Sequence, residues 1–171
     1  SAALQPILDV PFAFVGHDLG ALVMYEIAVH QHRAGKGKPM TLFIIGAMAP
    51  ELHYFAPIHH LPTDAFKETL RLLDLSFDER FITNQSIRID CAALTSYEMT
   101  ARVILDVPIV AIAGTNDALI APRSLEGWQQ HTSMPLKIHR LPIRHMELWL
   151  DAQVISIISA ELDRLLKPFR A

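Results

Sequence analysis

The sequence carries little charge, a single cysteine and no long apolar run, and each shortage excludes a class of protein. Charged residues make up 19% of the 171 residues, and the formal net charge is −3. We therefore expect no nucleic-acid partner, because phosphate binding requires a basic face. No run approaches the roughly 18 to 20 apolar residues of a membrane span, and no signal-peptide pattern is present. A membrane partner is therefore not expected either.

The composition that remains is that of one globular domain over residues 1–171. Hydrophobic residues make up 51% of the chain, and the length suits one domain with a core but not two. Because Cys91 is the only cysteine, an internal disulfide is impossible and a reducing, cytoplasmic setting is predicted.

Short apolar runs alternate with helical patterns along most of the chain. Strands that are apolar on both faces and alternate with helices predict an α/β fold, with a mainly parallel sheet covered on both sides. The predicted strands are 11–15, 40–48, 108–113 and 136–141, and the outer predicted helices are 19–34 and about 152–168.

The interval 49–107 breaks this alternation, because it contains no strong strand. Two amphipathic patterns, 64–73 and 90–102, predict helices within it. A helical insertion beside a parallel sheet is often a lid over a site, and we predict a lid here. The alternative, a helical layer that only packs, stays open on this pattern.

Gly16-His17-Asp18-Leu19-Gly20 lies between the first predicted strand and the first helix. This spacing matches a nucleophile elbow, a strained turn flanked by glycines that presents its central side chain above the sheet. Asp18 would then lie at the positive end of a helix, and the N–H of Leu19 would supply one oxyanion-hole donor. The alternative is that Asp18 only caps the helix.

Two further side chains follow later strands in an informative order. Asp117 comes just after the third predicted strand, and His145 lies in the loop after the fourth. Because parallel strands end at one edge of the sheet, we expect His145 to act as base, oriented by Asp117, beside Asp18. Along the chain the order is nucleophile position, then acid, then histidine, which is the order found in α/β-hydrolases. Trp149 and Leu150 are expected to pack beneath the histidine loop.

The segment from Pro11 to Leu22 resembles the elbow segment of type II thioesterases. These enzymes remove acyl groups from the carrier proteins of polyketide, nonribosomal peptide and fatty acid synthases. The resemblance extends over nearly the whole chain with its motifs in order. Further matching positions are Leu42 to Gly46, Ala49-Pro50, Leu61-Pro62, Phe66, Arg88 to Asp90, Tyr97, Trp128, Thr132 and Arg140 to Pro142.

The resemblance implies an α/β-hydrolase fold in which 49–107 is the lid over an acyl channel. It gives Asp117 and His145 the roles of triad acid and base. It also implies a carrier-protein partner, whose phosphopantetheine arm brings the substrate, and no metal or redox cofactor. His53, His59 and His60 lack supporting cysteines or paired carboxylates, so no metal site is predicted from them.

Asp18 departs from the family, which has serine at this position. A carboxylate attacking a thioester forms a mixed anhydride, and the adduct expels a carboxylate (pKa about 4) more readily than a thiolate (about 8.5). Glycine-histidine-aspartate also resembles the elbow of haloalkane dehalogenases and epoxide hydrolases, where aspartate attacks an sp³ carbon. A further alternative is that Asp18 and His145 together activate water directly. Another is a silent site that only binds the carrier protein.

The start of the chain is the second departure. In the family several strands precede the elbow strand, together with a loop that supplies the second oxyanion donor. Those N-terminal strands are absent from this chain, so the elbow strand is predicted to be a bare sheet edge, which proteins normally avoid. The resulting hypotheses are a C-terminal fragment, one of two chains, or an edge covered by a partner subunit.

Overall fold

A parallel four-stranded sheet forms the centre of the molecule. The computed structural model describes residues 10–75, 85–99 and 101–169. The strands pair in the order β1-β2-β3-β4, and every pairing is parallel. The predicted α/β fold is therefore confirmed. The strands are β1 (Phe14–His17), β2 (Leu42–Ile45), β3 (Ile109–Gly114) and β4 (Lys137–Leu141).

The two inner strands differ from the two outer ones in burial. Every residue of β2 and β3 is buried, as their continuous apolar sequences predict. Among the described residues β1 pairs only with β2, and Val15 at its centre is 46% exposed. Strand β4 has mixed burial, because polar residues alternate along this edge. The explanations offered for the edge at β1 stay predictions.

Two long helices cover opposite faces of the sheet. Helix α1 (Leu19–Arg33) packs Leu22, Tyr25 and other buried residues against one face. The last helix, α4 (Ala152–Leu166), packs its apolar face, which includes Val154, against the other. Helices are therefore present where the spans 19–34 and about 152–168 predicted them, although Val23 and Ile155, whose spacing placed them on the apolar faces, are 48% and 54% exposed. Among the described residues no helix combines the length and apolar character needed to cross a membrane.

The interval 49–107 contains helix α2 (Thr63–Leu72) and helix α3 (Gln85–Ser96). The predicted span 64–73 agrees with α2 to within a residue, whereas the predicted span 90–102 is wrong at both ends. The buried residues Ile87, Cys91 and Leu94 define the inner face of α3, so its apolar repeat begins before residue 90. The helix ends before Tyr97, whose hydroxyl donates a hydrogen bond to Glu26 at 2.7 Å.

Candidate active site

Asp18 stands at the turn between β1 and α1 in a strained backbone conformation. Its φ of 51° and ψ of −122° are unusual for a residue other than glycine, and such conformations cluster at functional sites. The side chain makes no hydrogen bond that caps α1, so the helix-cap alternative is wrong. The Asp18 carboxylate is instead about one-third exposed and faces His145.

The two glycines of the elbow differ in what they permit. A Cβ at Gly16 would lie 2.6 Å from the backbone of Ala21, so only glycine fits there. A Cβ at Gly20 would meet no described heavy atom within 4 Å. The expectation that the turn requires glycine on both sides is therefore wrong for Gly20, because that residue already lies in the open first turn of α1.

The Asp117 carboxylate is held firmly beside His145. One oxygen, Oδ1, accepts hydrogen bonds from the backbone N–H groups of Leu119 and Ile120 at 2.8 and 3.0 Å. The other, Oδ2, accepts the Nδ1–H of His145 at 2.8 Å. Both side chains are almost fully buried. Asp117 therefore fixes the orientation of the ring and directs Nε2 towards the elbow.

The opposite nitrogen of His145 faces Asp18 without touching it. The distance from Nε2 to Oδ2 of Asp18 is 3.9 Å, longer than a hydrogen bond. Nε2 is buried and has no hydrogen-bond partner among the described residues. The imidazole thus lies between two carboxylates, bonded to one and separated from the other by a gap that a reacting atom could bridge.

The two carboxylates decide the protonation state of His145. Burial alone lowers its pKa, but the hydrogen bond that His145 donates to Asp117 and the negative charges of Asp117 and Asp18 outweigh burial and raise the pKa to about 9. The two carboxylates therefore favour the protonated form of the ring. The role of His145 as base stays a prediction.

His17 and Gly46 lie next to the imidazole ring of His145 on two further sides. Nε2 of His17 donates to the backbone carbonyl of His145 at 3.1 Å, and the two ring centroids are 4.7 Å apart. Gly46 has a φ of 56°, and a Cβ on it would lie 3.1 Å from Cε1 of His145 and 3.2 Å from Nε2 of His17. The sequence pointed to Gly46 only as part of the segment Leu42 to Gly46, which resembles type II thioesterases. The signal that could have identified it as a site residue is its position directly after a buried strand.

Leu19, whose N–H is the predicted oxyanion-hole donor, lies at the start of α1. As the first residue of α1, it has a backbone N–H with no acceptor inside the helix. That end of the helix carries partial positive charge, which favours an anion beside it. The part of Leu19 in an oxyanion hole stays a prediction.

A cavity of about 390 Å³ begins at the elbow and runs beneath the 49–107 interval. Its walls are largely apolar, with the carboxylates of Asp18 and Asp90 as the charged groups. The volume lies near the lower end of ordinary ligand sites. The lining side chains are His17, Asp18, Leu19, Val23, Phe55, Leu70, Leu75, Ile87, Asp90, Cys91, Leu94 and Met146.

Trp149 and Leu150 do not pack beneath the histidine loop as expected. They are 54% and 66% exposed, whereas Leu148 is fully buried, because the short 3-10 helix His145–Leu150 turns Leu148 inward.

The histidines of the 49–107 interval have local contacts. Nε2 of His53 bonds the carbonyl of Leu94 at 2.9 Å, and His59 and His60 lie against each other. No group of three or more histidine, cysteine or acidic side chains among the described residues is arranged to hold a metal ion.

Known proteins resemble this chain along nearly its whole length. The model of the thioesterase domain family matches residues 1–162. Linear gramicidin dehydrogenase LgrE of Brevibacillus parabrevis is 32% identical over 180 residues, which cover 98% of this chain and 68% of LgrE.

Solved structures agree in fold as well as in sequence. RedJ, a thioesterase from the prodiginine biosynthetic pathway in Streptomyces coelicolor, is 31% identical with a TM-score of 0.79, covering 94% of this chain and 65% of RedJ. BorB, a type II thioesterase from the borrelidin biosynthetic cluster, is 26% identical with a TM-score of 0.81. The match covers 94% of this chain and 71% of the BorB chain.

Proposed function

Because the chain belongs to the thioesterase domain family, a family of hydrolases, we propose that it releases acyl groups from the phosphopantetheine arms of acyl or peptidyl carrier proteins. The proposed pathways are polyketide, nonribosomal peptide or fatty acid biosynthesis, and the proposed location is the cytoplasm. The observation that carries the proposal is the juxtaposition of Asp18, which lines one end of an apolar cavity, with the bonded pair of His145 and Asp117.

The cavity is the proposed acyl site, and the 49–107 interval is the proposed lid. Apolar side chains from this interval, including Phe55, Leu70 and Leu94, meet the elbow across the cavity. Burial of an alkyl chain there is favourable by about 0.8 kcal/mol for each CH₂ removed from water. The thioester carbonyl would then lie between Asp18 and the N–H of Leu19, with the pantetheine arm directed outwards.

Water is the proposed nucleophile, because covalent attack by Asp18 is unfavourable. A carboxylate is a better leaving group than a thiolate, so an adduct of Asp18 with the thioester returns to its starting materials. The gap between Asp18 and Nε2 of His145 has a polar group on each side. A water bound there can attack the carbonyl while Leu19 stabilises the developing oxyanion.

The cavity is less suited to the epoxide and alkyl halide chemistry of aspartate-nucleophile hydrolases. Those reactions produce an alkoxide or a halide that needs a donor on the far side of the substrate. The described residues that line the cavity include no tyrosine or tryptophan. A silent carrier-binding module would need neither the bonded pair of Asp117 and His145 nor its burial, which costs free energy.

Turnover of an acyl-pantetheine thioester in ¹⁸O-water, followed by mass spectrometry, tests the proposal. We expect label in the released acid and none in the peptide that contains Asp18. Label in Asp18 would contradict direct attack by water and indicate a covalent intermediate. Retention of the thioester together with measurable binding of the carrier protein would support the silent module. Turnover of an epoxide in place of the thioester would support a hydrolase with an aspartate nucleophile. The matched control is Asp117→Asn, which keeps the shape of the side chain and removes the charge that orients His145.

A further inference from the structure

The position of His145 between two carboxylates differs from the arrangement around a serine nucleophile. In a serine hydrolase the histidine faces one carboxylate and one neutral hydroxyl, so the ring is free to accept a proton. Here Asp117 bonds Nδ1 at 2.8 Å, and Asp18 lies 3.9 Å from Nε2 on the other side. Both carboxylates favour the charged ring, so the resting site already holds the proton that a base would need to accept.

The other titratable groups around His145 do not reverse this preference. His17, packed on the ring from β1, has its pKa lowered by burial first and by the charge of His145 second, which favours its neutral form. Directly after β2 the ring meets Gly46, which has no side chain. On its own segment, the neighbouring Arg144 is paired with Glu147. Across the cavity, α3 contributes Asp90 and the thiol Cys91, and the pKa of Cys91 is raised to about 11 by burial.

From this geometry we infer that His145 is the general acid of the reaction and that Asp18 is the general base, a role that the histidine itself takes in a serine triad. The inference rests on the thioesterase proposal above and specifies how that site moves protons. Asp117 keeps its positioning role, because it holds the ring and its charge in place throughout.

The proton transfers balance over one turnover. The water oxygen bonds to the thioester carbon, the carbonyl electron pair moves to the oxygen next to the N–H of Leu19, and Asp18 accepts the water proton. The carbon–sulfur bond then breaks with its electron pair on sulfur, and Nε2–H of His145 donates its proton to that sulfur. The products are the acid, the thiol, neutral His145 and protonated Asp18. Transfer of that proton from Asp18 to His145 restores the resting site.

The chemistry of the leaving group suits this assignment. An alkyl thiol has a pKa of about 8.5, close to the value of about 9 for His145. Proton donors and acceptors of matched pKa exchange a proton efficiently in the transition state. The unpartnered Nε2 of His145 faces the gap beside Asp18, so its proton is not committed to another acceptor.

The dependence of kcat/KM on pH, measured with an acyl-pantetheine thioester, tests the assignment. For the wild-type chain we expect a plateau through neutral pH and a fall of about tenfold per pH unit above a pH of about 9, where His145 loses its proton. In Asp18→Ser the second carboxylate is gone, so neutral His145 becomes the base and activity should rise with pH. Wild-type activity that rises between about pH 6 and pH 9 would overturn the assigned roles and leave the thioesterase proposal standing. No turnover at any pH would overturn both.

A thioester with a more acidic leaving group provides the second measurement. An aryl thiolate departs without a proton, so the acyl thiophenyl ester should lose the fall above about pH 9 in the wild type. His145→Gln should likewise lose far more activity on the alkyl thioester than on the thiophenyl ester. Equal losses on both esters would contradict the acid role, because a purely structural defect affects the two substrates alike. The ¹⁵N chemical shifts of His145 report its protonation directly and do not depend on turnover.

Discussion

Replacement of His145 by glutamine should change how the stability of the protein depends on pH. The folded pKa of His145 is about 9, against about 6.5 for an unperturbed histidine. At about 1.36 kcal/mol per pKa unit, this rise corresponds to about 3 kcal/mol. Because the folded pKa is raised, the stabilisation is fully present below a pH of about 6.5 and is lost as the pH rises through about 9.

The assay is urea denaturation of both proteins at several values between about pH 6 and pH 10. Over that range the free energy of unfolding of the wild type should fall by about 3 kcal/mol more than that of His145→Gln. The comparison uses the change with pH and not the absolute stability, so a constant cost of leaving Asp117 without its partner does not enter it. Asp18→Asn should show an intermediate change, because it removes the carboxylate at 3.9 Å and keeps the one at 2.8 Å. Parallel curves for wild type and His145→Gln would refute the claim that the ring is charged at neutral pH.

Four further substitutions test the surroundings of the site. Gly46→Ala places a Cβ about 3.1 Å from the His145 ring at a positive φ, so kcat should fall at least about tenfold. The control is Gly20→Ala, whose Cβ meets open space and which should retain activity in the same assay. Leu94→Phe reduces the volume of the cavity. In a series of substrates of different acyl length, kcat/KM should therefore fall more for a long acyl chain than for acetyl. Equal losses of kcat/KM along the series would place the acyl group elsewhere. Tyr97→Phe removes the hydrogen bond to Glu26, so urea denaturation should show a loss of about 1.5 to 3 kcal/mol, and an unchanged free energy of unfolding would show that this bond does not secure α3.

The fold was predictable because its strongest signals are local. The apolar runs at β2 and β3 are continuous in sequence and fully buried in the sheet. The predicted boundaries were less accurate, because strands end where the backbone turns and not where hydrophobicity stops. The run 40–48, for example, is apolar to its end, yet β2 stops at Ile45 because Gly46 adopts a φ of 56°.

The candidate site was predictable in location but not in detail. A glycine-flanked residue between a strand and a helix places Asp18 at the edge of the sheet, and parallel topology brings Asp117 and His145 to the same edge. Nothing local distinguishes the glycine that is sterically required, Gly16, from Gly20, which is not. That distinction depends on how closely the backbone of α1 approaches β1, which is a property of the packed structure.

The charge of His145 illustrates why chemistry is harder to predict than position. Its pKa is set by burial, which lowers it, and by carboxylates from two other segments, which raise it. Asp117 lies 28 residues away in the chain, and Asp18 belongs to the opposite end of the domain. The sign of the net effect depends on distances of 2.8 and 3.9 Å that no motif specifies. A serine at position 18 would occupy the same elbow with the same backbone, yet it would leave His145 beside one carboxylate instead of two. One side chain therefore decides whether this histidine begins the reaction as a base or as an acid.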